Sequence, residues 1–209
     1  MPKRKVTVSN SESDAVMDIE LSAADNTIEI KSAQLKDDFC NYSYEFKVAE
    51  NTTDTINRKS SLVVHDDLKR AFKKLHPHLA VICEEIDHKS IKDIDRIPEW
   101  DPDKDYGHVS GMDMISLQVS HFSVSAFKLE GTGENAGVVL IGQKRLSTGE
   151  YVKLETPRTT WDDDYPFIHD LRVAIDDLVV EVEEYMKGKS APRLVQTEME
   201  FEDDENTEE

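Results

Sequence analysis

Hydrophobic and polar positions alternate in the first part of the chain and take up helical spacing further on. Cys40, Tyr42, Tyr44, Phe46 and Val48 alternate with Asn41, Ser43, Glu45 and Lys47. A period of two puts each set on its own side of a strand, so this segment predicts a half-buried strand with an aromatic inner face. Ile28-Glu-Ile30 is a shorter instance, Asn51 to Asp54 predicts a turn, and Ser60 to Val64 another short strand. From Asp66 the spacing changes. Leu68, Ala71, Phe72 and Leu75 fall at i, i+3, i+4 and i+7, which predicts a helix over 66–75, and the paired aspartates at its start suit the positive end of the dipole. Pro77 interrupts and then suits the first turn of a second helix, giving a kinked pair.

Asp87 to Gly111 is polar and punctuated by Pro98, Pro102, Gly107 and Gly111. It reads as a long loop, and a loop of that length inside a domain is functional or mobile. Ile115, Leu117 and Val119 alternate and predict a strand. Strands over 122–130, 137–142 and 150–155 follow, joined by Gly131–Asn135 and Leu146–Gly149, as an antiparallel meander. Leu171, Ala174, Ile175, Leu178, Val182 and Tyr185 form the apolar stripe of a last helix over 167–186. The predicted class is α+β: an antiparallel sheet or small OB-like barrel with a central helical region and a C-terminal helix. The core is expected at Tyr42, Tyr44, Phe46, Leu68, Phe72, Leu75, Val81, Ile115, Leu117, Val139, Ile141, Leu171, Ile175 and Leu178. Residues 1–16 read as a flexible arm, 17–187 as a single domain, and 188–209 as a hinge and a disordered acidic tail.

Charge sharpens that division. The 209 residues carry a formal net charge of -19, and from Leu194 onward there is no Lys or Arg and there are eight acids. The first 193 residues therefore carry -11. An acidic chain of this kind does not adhere unselectively to nucleic acid or anionic membrane. Lys3, Arg4 and Lys5 lack the apolar stretch of a secretory signal, so a cytoplasmic location is expected, in a reducing compartment that suits two unpaired cysteines, Cys40 and Cys83. No run is long and apolar enough for a membrane helix.

Candidate chemistry is sparse. Asp101, Asp103 and Asp105 are spaced as in an EF-hand loop, but Tyr106 stands where the sharp turn needs Gly and Met112 where the bidentate Glu belongs. Asp162, Asp163 and Asp164 are consecutive, so their carboxylates diverge, and His76-Pro-His78 lacks a Cys partner. No nucleophile elbow, phosphate loop or zinc-protease motif is present. A non-enzymatic protein with no cofactor and no metal is the expectation. The sharpest feature is a basic helix face, Lys69, Arg70, Lys73 and Lys74, which is either a solvated face paired with acids or a docking patch for phosphates or the protein's own tail. Tyr42, Tyr44 and Phe46 are core, or a stacking platform if their face is open.

Strands, a helical region, more strands, a hinge and an acidic tail: this order resembles that of single-stranded DNA-binding proteins of phages and bacteria. The stretch Phe122–Pro157 is also similar in general character to uncharacterised phage or prophage proteins. The resemblance implies an OB-fold that binds the strand through Tyr42, Tyr44, Phe46, Lys69, Arg70, Lys73 and Lys74. It also implies a tail that competes with DNA and recruits replication or recombination proteins through Phe201, Glu202, Asp203, Asp204 and Glu205. The bacterial tail closes on a terminal Phe, whereas this chain closes Asn206-Thr-Glu-Glu209 with Phe201 inside the block. Two other classes compete: an acidic phage protein that binds and inhibits a host protein, by imitating DNA charge, and a virion structural protein. A homo-oligomer is left open.

Overall fold

The structure is a computed structural model that describes residues 28–49, 52–108 and 110–192. Strands β1 (Ile28–Lys36), β2 (Phe39–Ala49) and β3 (Thr52–Val63) come first, then helices α1 (Asp66–Lys74) and α2 (His76–Ile82). After the long polar loop come α3 (Gly111–Val119), β4 (Phe122–Glu130), β5 (Gly137–Arg145), β6 (Tyr151–Glu155), β7 (Thr159–Thr160) and α4 (Ile168–Met186). The strands make one antiparallel sheet in the order β3-β2-β1-β4-β5-β6, with β7 beside β5. The fold is α+β. Its sheet is open, because β3 and β6 are edges that do not meet; of the two architectures the sequence allowed, the barrel is not formed.

Register decides which residues face the helices. Tyr42 lies opposite Ala33 of β1, Tyr44 opposite Ile30, and Cys40 opposite Leu35, and all six share one side of the sheet. Ala33 continues the row to Phe127 of β4, which pairs with Leu140 of β5. On this side α4 sets the Tyr185 ring edge-on to Tyr42, and α1 sets Phe72 against Phe127. Every member of the predicted α4 stripe is buried. Leu79 of α2 packs over Gly142, where a Cβ would fall on the Ser123 carbonyl and within 2.7 Å of the Leu79 side chain. Tyr185 also ties the layers together: its hydroxyl donates to the Leu62 carbonyl and accepts from the Cys40 amide at 3.5 Å.

Two segments differ from expectation. Residues 111–119 are a helix and not a strand. Ser110 accepts from the Asp113 amide while the Asp113 carboxylate takes the Ser110 amide, a reciprocal capping box that starts α3. Of the alternating trio, only Ile115 is buried; Leu117 and Val119 are half-buried. Residues 52–54, expected as a turn, belong to β3, which runs on to Val63 as one strand. This edge strand is exposed along nearly its whole length, so no burial pattern marks it in the sequence. Of the expected core, Phe46 and Ile141 are also only half-buried. Among the described residues, no helix is long and apolar enough to cross a membrane.

Candidate functional site

The two halves of the expected nucleic-acid site fall on the helix side of the sheet, and neither is free. Tyr42 is 6% exposed and Tyr44 9%, and their rings stack on one another beneath Tyr185. Burial pushes the Tyr42 hydroxyl above its ordinary pKa despite nearby Arg58. A stacking platform must offer an open ring face, so of the two readings the sequence allowed for these tyrosines, burial gives core and not a platform. Phe46, at the strand's end, is half-buried and tilts against Tyr44.

The basic face of α1 does project to solvent, but each cation already holds a carboxylate. Lys69 meets Asp38 at 2.8 Å, Arg70 meets Asp67 at 3.0 Å, Lys73 meets Glu99 at 2.6 Å and Lys74 meets Asp177 of α4 at 2.8 Å. This is the paired face that the sequence allowed as one of two readings. Lys73 and Lys74 also sit in the last turn, where the helix dipole favours them. Between this face, the loop 94–100 and the junction of α3 with β4 lies a groove of about 810 Å³.

The hinge is held at two points. Lys189 bridges Glu181 and Asp67 at 2.7 and 2.9 Å, and the Ala191 amide donates to the Val63 carbonyl at the end of β3. Phe201, Glu202, Asp203, Asp204 and Glu205 lie outside the described residues, as does the arm at 1–16.

Sequence reasoning missed the other side of the sheet. Among the described residues no helix packs on it, and it carries a polar lattice fixed by register. Ser32 and Ser43 share a hydrogen bond at 2.6 Å between partner positions of β1 and β2. Lys31 holds Glu29 at 2.7 Å and Glu45 at 3.3 Å, and Lys128 holds Glu155 at 3.4 Å. Lys36, Lys47, Lys59, Arg145 and Lys153 share this side and are exposed. None of the five meets a carboxylate within 4.0 Å among the described residues, and the acid left over on the same side is Glu130. Phe39 and Tyr151, 38% and 60% exposed, stand on this side beside Lys36 and Arg145 in the register. The signal was present in the sequence as the polar half of each alternation, but it becomes a surface only once the strand order is known.

Other candidate sites stay apart. Among the described residues no three His, Cys, Asp or Glu side chains converge as metal ligands. The Asp101–Gly107 loop is braced by its own groups: the Asp103 amide donates to the Asp101 carboxylate, and Tyr106 stacks on Trp100 at 4.3 Å. Cys40 is fully buried, its thiol pushed up to about 12 by desolvation. No protein family, curated protein or solved structure matches the chain.

Proposed function

We propose that the chain is a non-enzymatic binder of single-stranded nucleic acid that lays the strand across the open side of its sheet. The observation that carries this reading is the set Lys36, Lys47, Lys59, Arg145 and Lys153, exposed and without acid partners among the described residues, on a chain of net charge -19. Lys and Arg side chains that neutralise phosphates release the counterions condensed on the nucleic acid, which drives binding. Phe39 and Tyr151 supply exposed rings on which bases stack. Strands lie about 4.8 Å apart, so six strands give a surface long enough for several nucleotides. A role in phage or mobile-element replication or recombination, with the acidic tail recruiting partner proteins, belongs to the same proposal.

The host-protein inhibitor that imitates DNA is the second reading. It rests on the acids of α4, which rigidly carries Asp170, Asp176, Asp177, Glu181, Glu183 and Glu184. Lys74, Lys189 and Lys187 neutralise Asp177, Glu181 and Glu184, which thins the row and ranks this reading lower.

Fluorescent oligo-dT titrated with wild type and with the Lys59→Glu/Lys153→Glu variant tests the first reading. Binding at about 50 mM salt that falls at least about tenfold in the variant is expected. Equal binding by both proteins, or none by either, rejects it. A mimic captures a basic partner and ignores the oligonucleotide.

A further inference from the structure

The groove beside α1 has three properties that the binding of a strand on the far side of the sheet does not use. First, it is large: about 810 Å³ lies within the range of small-molecule sites. Second, its wall carries Arg70, Lys73 and Lys74 together with Trp100. Third, Ser116 of α3 lines it: the residue is 2% exposed, and its buried hydroxyl has no hydrogen-bond partner among the described residues. A buried hydroxyl without a partner pays its desolvation with no hydrogen bond in return. A serine inside a helix ordinarily relieves this by bonding back to the preceding turn, and Ser116 does not.

We infer that this groove is a nucleotide site, taking a nucleoside phosphate with its phosphates on Arg70 and Lys73 and its base against Trp100. The cations are occupied by carboxylates but not exhausted. An ammonium has three donors and a guanidinium five, and Lys73 gives one bond to Glu99, Arg70 one ion pair to Asp67. Their side chains are 53% and 72% exposed, so the remaining donors are reachable. Trp100 is braced on one side: Tyr106 covers one of its faces in a parallel stack with 4° between planes. That arrangement holds the indole while it stands in the groove wall.

The groove also has acids, and they limit which ligand fits. Asp95 and Glu99 line it. Desolvation and then Asp170 hold the Asp95 carboxyl above its ordinary range. Carboxylates repel a bare anion, but they accept hydrogen bonds from ribose hydroxyls, as the acidic residue of dinucleotide sites does. A wall with cations, an aromatic and hydroxyl-accepting carboxylates therefore fits a nucleoside phosphate better than inorganic phosphate. His76 lines the groove as a neutral ring, since burial pushes its pKa down to about 4. It carries no charge at neutral pH, and its ring nitrogens can only donate or accept a hydrogen bond.

The test uses the full-length chain. ADP, adenosine and inorganic phosphate are titrated by calorimetry, and in a Trp161→Phe background so that Trp100 alone reports by fluorescence. Expected are saturable ADP binding with a Trp100 signal, weaker binding of phosphate and no binding of adenosine. Arg70→Gln/Lys73→Gln weakens ADP by about tenfold or more, and Ser116→Ala weakens it several-fold with an unchanged or raised denaturation midpoint. No saturable ADP signal up to about 5 mM, on the weak side of the millimolar range, overturns the inference. So does phosphate binding as tightly as ADP, or a double variant that binds ADP like wild type. Lys59→Glu/Lys153→Glu separates this from the strand-binding proposal: it is expected to bind ADP normally, and a matching loss of ADP binding counts against a distinct site.

Discussion

Gly142 shows how one side chain sets the spacing between layers. Leu79 packs directly over it, and the neighbouring strand's Ser123 carbonyl crowds the same point. Gly142→Ala therefore has to push α2 or β4 away, and overpacking of this kind costs about 1–3 kcal/mol. A urea midpoint lowered at unchanged slope is the expected result, and a midpoint equal to wild type would show that the layers yield. His78 makes a second case. It is fully buried, with Nδ1 on the Tyr165 hydroxyl at 2.9 Å, and desolvation lowers its pKa from 6.5 to about 4. The unfolded chain thus takes up the proton first as pH falls. Stability is full above about pH 6.5 and declines steadily to about pH 4, by about 3 kcal/mol for this ring. Chemical denaturation at pH 7 and pH 5 measures it: wild type is expected to lose stability between them, and His78→Gln to lose less.

Helices and strands were legible where one side of the element is buried. The α4 stripe and the alternation of β2 are periodic because α4 lies on the sheet and β2 has helices on one side only. The basic face of α1 was legible as a face, and its meaning was not, because Asp38, Glu99 and Asp177 come from distant parts of the chain. β3 was hidden by its exposure at the sheet's edge. The helix α3 was misread because three apolar residues at alternate positions outweighed Ser110 and Asp113, a helix start in plain spelling. That start is testable by itself. Ser110→Ala removes the hydroxyl that accepts from the Asp113 amide and is expected to cost about 1 kcal/mol. Urea denaturation measures it, and a midpoint equal to wild type would show that the cap adds nothing to the stability of the fold.

At the scale of the whole molecule the charge is divided rather than uniform. Eight acids fall in 194–209, α4 carries six more, and among the described residues one side of the sheet keeps five cations without a carboxylate partner. The chain leaves the described region at Pro192, just after the Ala191 amide has bonded to Val63 at the end of β3. Val63 lies opposite Phe39, which lies opposite Lys36, so the described chain ends near the edge of the cationic side of the sheet. A fully extended residue spans about 3.3–3.6 Å, which gives the seventeen residues from Arg193 more reach than the sheet is wide. If the open side of the sheet binds a strand as proposed, an anionic segment tethered there competes with its phosphates at high local concentration. Deleting residues 194–209 is therefore expected to raise affinity for oligo-dT and to steepen its salt dependence, with each phosphate newly neutralised adding about 0.7 to the slope. Titrations of full-length and shortened protein at several salt concentrations decide it. A shortened protein that binds with the same affinity and slope would leave the tail without a part in strand binding, and one that binds no oligo-dT at all would remove the proposed function with it.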